Sequence, residues 1–345
     1  KVTIGDSIEG FDTKLIDVKF LELRSETGDL LSKSEFDDSV KIMVDGLIKN
    51  GKKVLLHLLD CSKTGLGGPS MELICELKIK YQNLFHVIVD AAQMRIGNIA
   101  LQKYIESNFM VLITGSKFFT GAPFSGALIV PPSIANDIDE LQPLPSGLSA
   151  YGTIFDFPFR WKALSKNMNP RPNFGLLLRW QSALWEMKAF FSVSALEQFN
   201  TINSFGQAML KMIEENANTD LVLAPLHDRG YPPTTLSWDQ LPTIFTFLVN
   251  KEDLNLKSKK ILTYEEARFA YKCINMDIAR FLPVQASNRE HLLAEKRCHI
   301  GQPVRIRIQC GEWIGALRIA AGASLVSGVK FDNALGSTGS ERLAT

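Results

Sequence analysis

Three polar side chains interrupt an apolar stretch, His86 to Pro132, at positions where chemistry can be done. The run His86-Val87-Ile88-Val89 ends on Asp90, and Gln93 follows in the same turn. The run Val111-Leu112-Ile113 leads into Thr114-Gly115-Ser116 and then Lys117. A third run, Gly126 to Val130, follows the turn Gly121-Ala122-Pro123. Short apolar runs bounded by polar or turn residues read as buried strands. A buried acid at one strand end and a buried lysine at the next cost free energy unless something uses both charges. A cofactor with an aldehyde and a basic ring nitrogen would use them. The lysine forms a Schiff base with the aldehyde, and the carboxylate keeps the ring nitrogen protonated. Pyridoxal phosphate carries both groups.

Such a pair needs a scaffold that brings strand ends together. Val54 to Leu59 is a further short apolar run, ending in Asp60-Cys61-Ser62-Lys63-Thr64-Gly65. Ile16 to Leu23 alternates in the manner of a strand. Ser34 to Asn50 reads as a helix with Phe36, Val40, Met43, Val44 and Leu47 on one face. Met71 to Tyr81 reads as another, with Ser70 as its cap and Glu72 in the first turn, where the helix dipole favours an acid. Alternating strands and helices predict an α/β fold, a mostly parallel sheet sandwiched by helices. Ligands of such sheets gather at the carboxyl ends of the strands. Asp60, Asp90 and Lys117 all fall there.

After an irregular Pro131 to Pro172, the pattern gives a long apolar helix, Phe174 to Phe191, and a second helical stretch to about Asn216. A smaller C-terminal α+β domain follows. Its strands are expected at Pro242–Val249, Ile300–Ile308 and Ala316–Ala320, and a helix opened by Thr263 at Tyr264–Phe281. The expected division is a large domain, 1–195, and a small one, 196–345. The Gly- and Ser-containing tail, Asn333 to Thr345, reads as loose.

Composition narrows the class. The chain has 345 residues, 46% of them hydrophobic and 22% charged, with a net charge of +1. That length supports two domains with a sizeable core. The charge gives no field that would favour nucleic acid or an anionic membrane. No apolar run reaches the roughly 18 residues of a membrane span; the longest is broken by Arg179, Glu186 and Lys188. The five cysteines include no C-x-x-C pair. This disfavours a disulfide framework or a zinc site and favours a reducing, cytoplasmic location, with most of the cysteines as small core residues. His57, on an apolar strand, reads as a core histidine. Ser116-Lys117 is no P-loop: the lysine follows a serine, and Met110 stands where the earlier glycine belongs.

Taken together, Asp90-Ala91-Ala92-Gln93, Thr114-Gly115-Ser116-Lys117, Gly121-Ala122-Pro123 and Gly126-Ala127-Leu128 resemble the motif set of fold-type I pyridoxal-phosphate enzymes. The likeness is to the class V aminotransferase group, whose superfamily includes cysteine desulfurases and kynureninases. It covers residues 10–195 in organisation and 86–130 in detail. The resemblance implies pyridoxal 5'-phosphate as cofactor and Lys117 as the Schiff-base lysine. Asp90 would pair with the ring nitrogen and Gln93 would donate to the ring 3-oxygen. Thr114 and Ser116 take the positions of phosphate contacts, although many members carry a histidine where Ser116 stands. Ser62 occupies the place of an asparagine that contacts the ring. Arg318, in Ala316-Leu317-Arg318-Ile319-Ala320, resembles the arginine that grips the substrate carboxylate.

The implied activity is transamination of an amino acid or related amine by a homodimer. The alternatives are a desulfurase or other lyase, which would need a mobile reactive cysteine, and a cofactor-free relative acting as a binding module. In the family, the phosphate-cradling loop precedes the strand matched by Ile16 to Leu23. This chain starts shortly before that strand, so it is expected to be part of a longer enzyme or a shortened relative lacking the N-terminal part of the large domain.

Overall fold

Local capping signals set where the helices begin. The computed structural model describes residues 7–334 apart from 26, 223, 226, 227, 231–235, 254–257, 284 and 310. Helix α1, Lys33–Lys49, starts one residue before the Ser34 from which the sequence pattern runs, because Ser32 caps it and Glu35 completes a reciprocal capping box with Ser32. After strand β1, Val54–Leu59, helix α2, Met71–Tyr81, starts behind Ser70, whose hydroxyl accepts the Leu73 N–H. Strand β2, Phe85–Asp90, helix α3, Asn98–Glu106, strand β3, Met110–Thr114, and strand β4, Gly126–Ile129, complete the first sheet and its crossovers.

The sheet order is β1-β2-β3-β4. β1 and β2 run parallel to each other, as do β2 and β3, while β4 returns antiparallel on β3. This is the mixed α/β, mostly parallel arrangement that the alternation of strands and helices implies. Its core joins Leu58, Val87, Val89 and Val111 of the strands to Ile74 and Leu77 of α2 and to Tyr104 of α3.

Helices α4, Pro132–Asp139, α5, Phe174–Phe191, and α6, Ala195–Glu215, follow. Strands β5, Thr219–Val222, β6, Ile244–Asp253, and β7, Ser258–Ile261, come next, then helices α7, Tyr264–Ile274, and α8, Asn288–Glu295. Strands β8, Gly301–Gln309, and β9, Glu312–Ala320, and helix α9, Ala323–Ala334, end the described chain. The second sheet has the antiparallel order β5-β6-β9-β8, with β7 on β6. Its core includes Phe245, Leu317 and Ala267. Helix α6 serves both cores: Ile202 packs into the first and Ile213 into the second.

Several expectations need correction. Ile16 to Leu23 forms no strand, and Ile16, Val18 and Phe20 are exposed. An alternating run becomes a strand only by pairing with a sheet edge; this run does not pair, and β1, with β2 as its sheet neighbour, remains an edge strand. As a consequence His57 is exposed on an edge strand and is no core residue. Helix α7 stops at Ile274 with Asn275 as its C-cap, and only a short turn of 3-10 helix covers Ala279–Phe281. The irregular stretch from Pro131 contains α4, begun by Pro132 in its first turn. Of the free cysteines described, Cys75 and Cys298 are exposed and Cys61 and Cys273 half-buried, so none is a fully buried core residue. Cys310 and most of the tail (335–345) lie outside the described residues. Among the described residues, no helix is long and apolar enough to cross a membrane, and no group of His, Cys, Asp and Glu forms a metal site.

Candidate active site

Parallel pairing puts the carboxyl ends of β1, β2 and β3 side by side, and backbone hydrogen bonds lace the loops beyond them. The Asp60 N–H donates to the Asp90 carbonyl at 3.2 Å, the Ala91 N–H to Leu112 at 3.0 Å, and the Phe118 N–H to Gln93 at 3.4 Å. Asp90, Gln93 and Lys117 therefore share one edge of the sheet.

Asp90 is half-buried, and its Oδ1 accepts the Ala92 N–H at 3.0 Å. The acid shapes its own turn; it is not a helix cap, since α3 begins only at Asn98. Its Oδ2 has no hydrogen-bond partner among the described residues. Gln93 is buried, and its side-chain amide is likewise unengaged among the described residues. Thr114 is buried at the end of β3, and its Oγ1 lies 2.9 Å from the Ser116 Oγ, so the two hydroxyls form one small polar turn beside Lys117.

Lys117 is exposed, which corrects the expectation of a buried lysine. Its side chain still feels its surroundings. Partial desolvation, with the cations Lys63, Arg318 and Arg95 nearby, pushes the amine below the ordinary lysine value, and Asp90 pulls the other way. The backbone under Lys117 is rigidly held. Phe118 and Phe119 are fully buried, and the Phe118 ring stacks on Trp238 with centroids 4.6 Å apart. The Phe118 carbonyl accepts the Ala323 N–H at the start of α9, at 2.7 Å. Gly115 is required by packing: a Cβ there would lie 2.1 Å from the Ala183 Cβ of α5.

Arg318 reaches the site from β9. Its Nη1 donates to the Lys63 carbonyl at 2.7 Å and its Nε to the Gln302 carbonyl at 2.9 Å. A guanidinium has five N–H groups, so donors remain for a ligand. Ser62 is different. Its hydroxyl accepts the N–H groups of Thr64 and Leu66, at 3.1 and 3.0 Å, and so is committed to shaping its own loop.

Sequence reading missed a buried polar network beneath this edge. Arg229 binds Asp60 through Nε at 2.8 Å and Nη2 at 3.0 Å, and it donates to the carbonyls of Asp239 and Arg95. The Tyr104 hydroxyl donates to the same Asp60 at 2.9 Å. Burial alone would lower the Arg229 pKa, but the Asp60 carboxylate outweighs it and the net direction is up. Arg95 lies between the two sheets, donating to Ala321 of the second half at 2.8 Å. The only local signal was a charged residue inside the apolar Met94-Arg95-Ile96. Nothing in the sequence links Asp60 to Arg229.

No family model matches the chain, and no curated protein matches it. Among solved structures it is similar to mouse CSAD at 12% identity, covering 91% of this chain and 56% of that one, with a TM-score of 0.45. It is similar to Oryza sativa TDC, solved with PLP and tryptamine, at 12% identity, with 97% and 59% covered and a TM-score of 0.45. It is also similar to Rhodiola rosea 4-hydroxyphenylacetaldehyde synthase at 12% identity, with 97% and 57% covered and a TM-score of 0.42. The chain thus spans less than two thirds of the length of each.

Proposed function

We propose that the chain carries the reacting lysine of a pyridoxal-phosphate enzyme acting on an amino acid or related amine. One observation carries the reading. A lysine amine held below its ordinary pKa stands at the same sheet edge as a carboxylate oxygen and a buried amide that the described residues leave unengaged. These donors and acceptors fit the cofactor's aldehyde, ring nitrogen and ring oxygen.

When bound, the cofactor supplies an aldehyde and an electron-withdrawing ring. Lys117 would hold it through the amine. Once displaced by substrate, the same amine would take or return a proton at the substrate Cα, and a lowered pKa suits it to that task. Asp90 would hold the proton on the ring nitrogen and Gln93 would donate to the ring oxygen. The Thr114 and Ser116 hydroxyls would serve the phosphate, and Arg318 the substrate carboxylate. The intraloop commitment of Ser62 gives it a supporting part. Transamination in a homodimer, with 1–195 as the cofactor domain and 196–345 as the smaller one, is the finer form of the proposal. The desulfurase alternative is weaker, because burial pushes the nearest thiol, Cys61, up to about 11.

The test is spectroscopic. Full-length protein incubated with pyridoxal phosphate should develop the visible absorption of lysine-bound cofactor, lost in Lys117→Ala and kept in the exposed-surface variant Lys103→Ala. Absence of that band at saturating cofactor would sink the proposal and favour a cofactor-free binding module. Where the band is present, an amine-donor screen that follows both keto product and carbon dioxide decides between transamination and loss of the carboxylate.

A further inference from the structure

Lys63 stands at the tip of the turn that leaves β1, and that turn is held firmly. The Ser62 hydroxyl accepts the Thr64 and Leu66 N–H groups at 3.1 and 3.0 Å, and the Ser62 carbonyl accepts the Gly65 N–H at 3.2 Å. Gly65 has a φ of +86°, a conformation that favours glycine. The Lys63 carbonyl accepts Arg318 Nη1 at 2.7 Å, a contact across 255 residues of chain. The Lys63 ammonium and the Arg318 guanidinium therefore lie within about the reach of one lysine side chain. Beyond partial desolvation, the strongest charge acting on the Lys117 amine is that of Lys63, ahead of Asp90, Arg318 and Arg95. Cations from the β1 turn, the β3 loop and β9 thus converge on one side of the site.

Neither Lys63 nor Arg318 makes an ion pair with a carboxylate among the described residues. The buried acids beneath the edge are engaged elsewhere. Asp60 binds Arg229 at 2.8 Å and the Tyr104 hydroxyl, and Asp239 lies 3.7 Å from Arg229 and accepts the Gly97 N–H and the Ser237 hydroxyl. Asp90 remains at the edge, where it suits the ring nitrogen. A substrate with an uncharged side chain brings one carboxylate, and the Arg318 guanidinium suffices for it. Lys63 is then a second cation beside the first. Like charges held close repel each other and favour a ligand that carries two negative groups.

We infer that Lys63 and Arg318 together select a substrate with two acidic groups. Arg318 takes the α-carboxylate, and the Lys63 ammonium takes a second carboxylate on the side chain, so the substrate class is the dicarboxylic amino acids. The two carboxylates of such a molecule are a few bonds apart, within the reach that separates the two cations. The fate of the substrate rests on the pyridoxal-phosphate reading, whereas recognition of the two acids belongs to Lys63 and Arg318 alone.

The experiment uses the full chain, first free of cofactor and then incubated with pyridoxal phosphate. In the cofactor-free protein, glutarate and butyrate are titrated by calorimetry at matched ionic strength. Glutarate should bind about tenfold more tightly than butyrate, the scale of one hydrogen bond to a charged group. That ratio should collapse towards one in Lys63→Gln and persist in Lys63→Arg, which keeps the charge. Lys63 is exposed, so neither variant threatens the fold. In the loaded protein, glutamate or aspartate should perturb the lysine-bound absorption at lower concentration than alanine, a preference lost in Lys63→Gln. Equal affinities for glutarate and butyrate overturn the inference. So does a ratio that Lys63→Gln leaves unchanged. A Lys63→Gln protein that keeps the ratio and loses affinity for pyridoxal phosphate also overturns it, and gives Lys63 to the cofactor phosphate. Glutarate selectivity that depends on Lys63, in a protein that never develops the cofactor band, upholds the two-acid site and sinks the pyridoxal-phosphate reading instead.

Discussion

Replacing Arg229 by leucine tests whether the buried network holds the two halves of the molecule together. In the native chain Asp60 is 1% exposed and receives two N–H groups from Arg229 and one hydroxyl from Tyr104. The substitution leaves a buried carboxylate with the Tyr104 hydroxyl alone and strips the carbonyls of Asp239 and Arg95 of one donor each. Removing one partner of a buried ion pair costs about 3–5 kcal/mol. With an unfolding entropy of about 2.1 cal/mol/K per residue over 345 residues, that is a fall in Tm of about 4–7 °C. Calorimetry and urea unfolding should both report it. Asp60→Leu combined with Arg229→Leu removes both charges, so the pair should lose less than the sum of the single variants, with a coupling of about 1–3 kcal/mol. A fall in Tm under about 2 °C for Arg229→Leu, or strictly additive variants, would refute the claim that this network is a paired, desolvated unit.

Other outcomes follow from the same geometry. Lys117→Met should stabilise the cofactor-free protein at pH 7. The folded state holds this amine below its ordinary value of 10.5, so folding resists its proton below the depressed value and loses that penalty as pH rises towards 10.5. The gain, read as a Tm difference, should therefore shrink with rising pH, and a gain that grows would contradict the electrostatics. Gly115→Ala should cost about 1–3 kcal/mol by overpacking against Ala183, measurable by denaturant unfolding. In an iodoacetamide time course followed by mass spectrometry at pH 8, exposed Cys75 and Cys298 should react well before Cys61, whose thiol is pushed up to about 11. Ser32→Ala should lose about 1 kcal/mol by breaking the capping box of α1, whereas Ser34→Ala should change stability far less.

The sequence by itself determined whatever depends on near neighbours in the chain. Ser70 announced α2 because a cap acts within one turn. The apolar runs ending at Asp90 and Thr114 announced β2 and β3, and their alternation with helices implied the parallel pairing that sets Asp90, Gln93 and Lys117 on one edge. Burial was less legible, because it depends on what arrives from elsewhere. Ile16 to Leu23 has the pattern of a strand but pairs with no strand, His57 sits on an outer strand, and Lys117 opens to solvent at the mouth of the site. Only the tertiary structure decided the polar interior. Asp60 and Arg229 meet across 169 residues of chain, and Arg95 crosses to Ala321 over 226. Charge pairing of that kind leaves no periodicity or spacing to read. It arises when packing excludes water from groups that the chain brings together from far apart.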